Sequence, residues 1–328
     1  MKQVTVFGGS GFIGRHLVKR LAEQGLIVRV AVRDPAGAIF LRPMGDVGQV
    51  TPVRADVRDD ASVAAAVEGS DAVVNLVGIL FERGKRTFEA IHKDAAARIA
   101  RQSKAAGVQR LVQISALGAS TRSASRYAWS KAAGEEAVLE AFPEASILRP
   151  GVVFGPQDDF FNRFAGMARL LPALPVFGGA CPIYGQANAG PDDGGNRFQP
   201  VYVGDVADAI MACLSRDDAA GKTYELAGPA VYTFRELMEL VLRQTDRHCL
   251  LLPVPFWTAS LMAVFLQFLP TPPLTPDQVT LLRSDNVATG DAPGLDALDI
   301  TPVAAEVIMP TYLDRFRRGG RFNTSVQA

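Results

Sequence analysis

Gly8-Gly9-Ser10-Gly11-Phe12-Ile13-Gly14 lies directly between the apolar run Val4–Phe7 and a helical pattern over Ile13–Gln24, in which Ile13, Leu17 and Leu21 share one face. A turn of this kind needs glycine for three reasons. The chain must reverse tightly, the backbone must approach a pyrophosphate closely, and helix must pack hard against strand. The helix that follows offers unpaired N–H groups and the positive end of its dipole to an anion. The strand–turn–helix setting makes the motif informative where the glycine spacing alone would be weak. Gly8, Gly9, Ser10, Gly11, Phe12, Ile13 and Gly14 are therefore expected to cradle the phosphates of a dinucleotide. The alternative is a structural turn that holds no ligand.

The next 140 residues repeat that alternation. Strand-like runs fall at Val4–Phe7, Ile27–Val32, Val50–Val53, Ala72–Val77, Arg110–Ser115 and Ala145–Leu148, and a second helical pattern covers Thr87–Ala106. Alternating strands and helices predict a Rossmann-type α/β fold, a doubly wound parallel sheet. The 328 residues suit about two domains. We expect a nucleotide-binding domain over 1–155 and a smaller C-terminal α/β domain over 156–328, interleaved with the first. That second part carries a Gly/Pro-rich loop over 178–197 and strand-like runs at Pro200–Val203 and Thr223–Leu226. Helices are expected at Val206–Leu214 and at Phe234–Gln244, the latter capped by Thr233.

Composition removes several classes. With 34 cationic and 34 anionic side chains the chain is not a free-standing nucleic-acid binder. Hydrophobic residues at 48% exclude a disordered chain. Cys181, Cys213 and Cys249, like His16, His92 and His248, are too scattered for a disulfide framework or a zinc site. Met1-Lys2-Gln3 runs straight into the first strand, so no targeting peptide is expected and the chain stays in the compartment where it is made.

The end of the second strand sets which dinucleotide fits. An acidic residue there serves the ribose hydroxyls of NAD, and a cation serves the 2′-phosphate of NADP. Val30-Ala31-Val32 ends in Arg33, and Arg15 follows the last glycine, so NADPH is the expected cofactor. The alternative makes Arg33 a solvated strand end paired with Asp34. Asp56, after the third strand, is a candidate for the adenine amino group, and Asn75 and Gly78, after the fourth, for the border of the ribose.

Tyr127 and Lys131 stand four apart, on one helical face, in Tyr127-Ala128-Trp129-Ser130-Lys131. A neighbouring ammonium favours phenolate, so Lys131 is expected to lower the Tyr127 pKa and to hold the nicotinamide ribose. Ser115, at the end of the fifth strand, and Pro150, in Arg149-Pro150-Gly151-Val152-Val153-Phe154-Gly155-Pro156, are expected beside the nicotinamide.

GGSGFIG, YAWSK and LRPGVVFGP together resemble the extended or atypical branch of the short-chain dehydrogenase/reductase superfamily over most of residues 1–230. Leu41-Arg42-Pro43-Met44-Gly45-Asp46, Ser125-Arg126-Tyr127, Phe198-Gln199-Pro200-Val201-Tyr202-Val203 and Pro293-Gly294-Leu295 resemble, more narrowly, the nucleotide-binding accessory subunit family of respiratory complex I, NADH:ubiquinone oxidoreductase. The narrower resemblance covers nearly the whole chain, on fewer matching residues towards the C-terminus. It implies a tightly held NADPH, no turnover, partners among the peripheral and membrane arms, and a peripheral place near the membrane; with no targeting peptide expected, the place is the cytoplasmic face of a bacterial inner membrane.

One departure from the superfamily pattern points the same way. Active members carry a hydroxyl residue where this chain has Ala116 and Leu117, and Ser115 falls one or two positions early. Tyr127 and Lys131 then read as vestigial or cofactor-binding. Leu250–Leu269 carries no charge, but Pro253 and Pro255 leave only Phe256–Leu269 as an uninterrupted helix, too short to span a bilayer. That stretch is either a buried helix of the second domain or a docking face for a membrane surface or partner subunit. The tail Arg315–Phe322 is either a solvated end or a clamp for acidic partners or anionic lipid. Two other functions stay open: an NADP-dependent reductase or epimerase, acting for instance on a quinone precursor, and a redox-sensing binding module.

Overall fold

The computed structural model describes residues 1–178 and 195–320. To Pro150 the chain forms β1 (Gln3–Phe7), α1 (Phe12–Glu23), β2 (Ile27–Val32), β3 (Val50–Arg54), α2 (Asp60–Val67), β4 (Ala72–Asn75), α3 (Ala95–Ala105), β5 (Arg110–Ile114), α4 (Arg126–Ala141) and β6 (Ser146–Pro150). Then come β7 (Val153–Phe154), α5 (Phe161–Leu170), β8 (Ala173–Phe177), β9 (Arg197–Phe198), β10 (Val201–Tyr202) and α6 (Val203–Ser215). They are followed by β11 (Thr223–Leu226), β12 (Tyr232–Thr233), α7 (Phe234–Thr245), β13 (Leu250–Val254) and α8 (Phe256–Leu266).

Two compact units result, 1–150 with 203–226 and 289–301, and 151–202 with 227–288 and 302–328. The first holds a seven-stranded sheet in the order β11-β6-β5-β4-β1-β2-β3, with every pair parallel. Residues 203–226 return to it because β11 is the sheet's edge strand and α6 packs on α1. Strands covered on both faces read as near-continuous apolar runs. Val4, Val6, Phe7, Val28, Val30, Val73, Val74 and Val112 are accordingly fully buried. The sheet's order reverses between β1 and β4, where both strands leave their ends free to receive a ligand.

Three local differences from the sequence expectations have physical causes. The fourth strand stops at Asn75 instead of Val77, because the Asn75 carboxamide oxygen accepts the Val77 N–H at 3.1 Å and turns the chain. The helical pattern from Thr87 opens as a π-helical turn, Glu89–Asp94, before α3. Leu250–Leu269 divides into β13, which includes Pro253, and the 11-residue α8. Pro253 is tolerated because β13 pairs only with β8, in a two-stranded ribbon.

The second unit is centred on interlocking phenylalanines. Phe234 packs edge-on to Phe164, Phe177 and Phe198 at centroid distances of 5.6 to 5.8 Å. Such pairs add about 0.5–1.5 kcal/mol each beyond the area they bury. Thr233 caps α7 reciprocally with Glu236, as a Thr-x-x-Glu box should. Cys213 and Cys249 are free thiols, and Cys181 lies outside the described residues, as does most of the 178–197 segment.

Candidate functional site

The glycine turn has the geometry of a phosphate cradle. Gly8 has a φ of +76°, a conformation that side chains rarely adopt, and its N–H donates to the Ala31 carbonyl at 3.2 Å. A Cβ on Gly9 would meet the Val30 and Val6 side chains at 2.8 and 3.2 Å, so α1 sits directly on the sheet. No side chain caps α1, and its first turn carries no acidic residue. The opening N–H groups are left for an anion, as a pyrophosphate requires.

At the adenosine side, Asp34 is not the partner of Arg33. Its carboxylate accepts the Ala36 N–H at 3.1 Å and closes its own turn, and the Arg33 side chain stays exposed. Arg15 lies 5.1 Å over the Phe40 ring and reaches back to the Ser10 carbonyl at 3.3 Å. Asp56 is committed to Arg58, whose guanidinium donates at 3.0 and 2.7 Å. That bonding, helped by the charges of Arg58 and Arg33, holds the carboxyl down at about 2.

Asn75 spends its carboxamide inside the fold. Besides accepting from Val77 it donates to Gln113 at 2.8 Å, and Gln113 donates in turn to the Ile114 carbonyl at 2.9 Å. β5 and β6 stay zipped past their regular ends. The Ser115 N–H donates to Leu148 at 2.7 Å, and the Leu117 N–H to Pro150 at 2.9 Å. The Ser115 hydroxyl is buried with no hydrogen-bond partner among the described residues, as are the Ser103 hydroxyl and the Asp314 carboxylate Oδ1, and an ordered water or a ligand would satisfy it.

Tyr127 and Lys131 do share one side of α4, and Lys131 comes near Gly78, where a Cβ would stand 3.6 Å from Nζ. The expected effect on the phenol is overturned. Burial pushes the Tyr127 pKa up to about 12, because the desolvation of this side chain disfavours phenolate. Lys131 donates to the Ile114 carbonyl at 3.1 Å, and burial lowers its own pKa to about 8 against the opposing pull of Glu135. Glu135 in turn holds Arg149, whose Nε donates at 2.9 Å.

His92 joins this group, although sequence reasoning does not single it out. It is buried, stacked on Phe88 at 5.5 Å and edge-on to Tyr127 at 5.3 Å. Ser130 donates its proton to the Tyr127 carbonyl at 2.8 Å, so the contact of His92 Nδ1 with Ser130 Oγ, also 2.8 Å, has nitrogen as donor. Nε2 then accepts the Ile79 N–H at 3.0 Å. Burial, with the charge of Lys131, pushes the imidazole pKa down to about 3 and keeps it neutral. One ring thus ties the loop after β4 to the helix that carries Tyr127 and Lys131. The only sequence hint is Phe88–His92 at i,i+4 beside an apolar face.

A second omission is the tight turn Arg83-Gly84-Lys85-Arg86. Arg83 and Arg86 exchange backbone hydrogen bonds at 3.0 Å, with Gly84 at a φ of +55°. A basic Arg-Gly-Lys-Arg run carrying a turn glycine is the available signal.

This fold and this glycine turn define a class, and residues 4–227 match the model of the NAD dependent epimerase/dehydratase family, to which the chain belongs. The UDP-glucose 4-epimerase of Thermus thermophilus, solved with NAD, superposes with a TM-score of 0.68 at 23% identity, covering 96% of this chain and 98% of that one. Within that class it belongs with the proteins named NADH dehydrogenase [ubiquinone] 1 alpha subcomplex subunit 9, mitochondrial. The Arabidopsis thaliana protein is 37% identical over 96% of this chain and 78% of its own length. The Mus musculus protein is 35% identical over 95% and 80%.

Proposed function

We propose that this chain is an accessory subunit of respiratory complex I that holds NADPH as a structural ligand. The observation that carries this reading is the extent of the likeness to the subunit 9 proteins, 95–96% of this chain, with the glycine turn inside the family match over 4–227. The residues present fit a nicotinamide dinucleotide. Gly8 to Gly14 would hold the pyrophosphate and Arg33 the adenosine 2′-phosphate. Asp56, Asn75 and Gly78 border the nucleoside, and Ser115, Tyr127, Lys131 and Pro150 would lie at the nicotinamide end. Bound there, NADPH would supply a hydride donor, while Ala116 and Leu117, which stand where active members carry a hydroxyl, and a Lys131 engaged by Ile114 favour holding it over turning it over. A ligand bound only by the folded state stabilises it by about 4 kcal/mol at a thousandfold excess over its dissociation constant.

In this proposal the subunit is peripheral, on the cytoplasmic face of a bacterial inner membrane, and α8 makes the membrane contact. Only Ala259 and Ala263 of α8 are buried, while Trp257, Leu261, Met262 and Val264 are exposed. Phe265 and, just beyond the helix, Phe268 are 70% and 82% exposed. No helix among the described residues is long and apolar enough to cross a membrane, so the contact is interfacial. In the same unit a hollow of about 550 Å³ beside exposed Leu250 is lined by Arg243 and Arg247 together with Glu239 and Asp246, so its charges balance and the contact rests on the apolar face of α8.

Two experiments follow. An affinity-tagged chain expressed in its source cells is expected to migrate with NADH dehydrogenase activity on native gels. Migration solely as a free chain removes the assignment. Co-sedimentation of the purified chain with phosphatidylglycerol vesicles is expected to fall at least tenfold in Phe265→Glu with Phe268→Glu. Unchanged sedimentation rules out α8 as the contact.

A second reading, an NADP-dependent reductase, is favoured by the His92–Ser130–Tyr127 network and the partnerless Ser115 hydroxyl. It requires that Tyr127→Phe abolish a cellular function that nucleotide binding alone does not sustain.

A further inference from the structure

The turn after β4 carries arginines that no nucleotide-binding motif accounts for. Arg86 is half-buried, and its guanidinium has no hydrogen-bonding partner among the described residues; the bonds it makes are those of its backbone with Arg83. The charges around it are of its own sign. Burial first, then Arg33, Arg58 and Arg83, lower its pKa from the usual arginine range. The carboxylates of the neighbouring segments are already engaged. Asp56 is held by Arg58, Asp34 by its own turn, and Glu82, next to Arg83, by Arg126 at 2.7 Å and the Phe88 N–H at 2.8 Å. The topology explains the crowding, since these segments follow β2, β3 and β4, which all end on the same edge of a parallel sheet.

A guanidinium taken partly out of water among like charges is costly unless an anion joins it. A phosphate monoester dianion is the anion that best satisfies several guanidinium forks at once. We propose that Arg86 and Arg83, on the turn after β4, face Arg33 across a site for the 2′-phosphate of an adenosine dinucleotide, and that they set the preference for the phosphorylated form. The proposal rests on the nucleotide reading above and extends it to residues outside the glycine turn and the β2 end. Arg33 then supplies one wall of the phosphate site, and the turn supplies the other.

The test is titration of the purified full chain with NADPH and with NADH, followed by calorimetry, for wild type, Arg86→Ala and Arg83→Ala. Arg86→Ala is expected to weaken NADPH at least tenfold while NADH changes by less than twofold, and Arg83→Ala to do the same to a smaller degree. Equal weakening of both nucleotides, or of neither, overturns the assignment. The wild-type arm separates the two readings. A wild type that prefers NADPH, with variants that keep that preference, overturns the arginine assignment alone. A wild type that binds neither nucleotide removes the nucleotide reading and this one with it.

Discussion

Gly134→Ala is expected to destabilise the first unit, although the same change in an exposed helix interior stabilises by about 1 kcal/mol. Gly134 is buried in the middle of α4. An added Cβ would fall on the His92 carbonyl oxygen, well inside any real contact distance. That oxygen is backbone of the π-helical turn Glu89–Asp94, so relief needs two packed helical segments to separate. Overpacking against backbone this close costs about 3 kcal/mol, which outweighs the propensity gain. The net loss of about 2 kcal/mol corresponds to a melting temperature lower by roughly 4–8 °C. Thermal unfolding followed by circular dichroism checks it, and an unchanged or raised midpoint would refute the close packing of α4 on that turn. The same separation would move His92 and with it the loop at Ile79, so nucleotide affinity should fall in parallel.

Gly14→Ala is expected to weaken nucleotide binding strongly. A Cβ there would stand 2.5 Å from both Cα and carbonyl oxygen of Gly9 and 2.6 Å from the Gly8 oxygen. All three are backbone atoms of the cradle, which has to open to admit the methyl group. If about 2–3 kcal/mol of that cost appears in binding, affinity falls by roughly a hundredfold. Gly11→Ala separates the two sources of loss. Its Cβ meets only the Gly8 oxygen, at 3.1 Å, so the fold accommodates it and any loss reports the approach of a pyrophosphate to that backbone. Calorimetric titration with NADPH is expected to show weakened binding in both variants, with the melting temperature lowered in Gly14→Ala alone. Unchanged affinity in Gly14→Ala would mean that the turn does not hold the nucleotide.

The parts legible in the sequence are those that short-range physics decides. Ile27–Val32 is a strand to the residue because a β-branched run bounded by breakers leaves little choice, and Thr223–Leu226 is one to the residue between Gly221 and the Gly228-Pro229 pair. Thr233 starts α7 because its hydroxyl and Glu236 satisfy the end of the helix locally. The glycine turn is equally plain, since only glycine serves where the backbone itself blocks a Cβ. What escapes depends on partners distant in the chain. His92 reads as an ordinary core residue until Ile79 and Ser130 fix its two nitrogens. The π-helical turn preserves the apolar periodicity of an α-helix and differs in backbone bonding. The Tyr127 pKa is expected from sequence to follow its lysine neighbour, but desolvation dominates and Lys131 turns to Ile114. The arginine cluster is assembled from segments after three strands, and no single stretch of sequence announces it. Leu250–Val254 is a strand despite its proline because β8 lies alongside as its one partner.

The most direct test of the central claim is purification of the native assembly from source cells, followed by mass spectrometry of the bound nucleotide and the co-purifying chains. The expected result is NADPH in about equimolar ratio to this chain, together with core subunits of NADH:ubiquinone oxidoreductase. Recovery of the chain free of nucleotide, or without any complex I subunit, would contradict it.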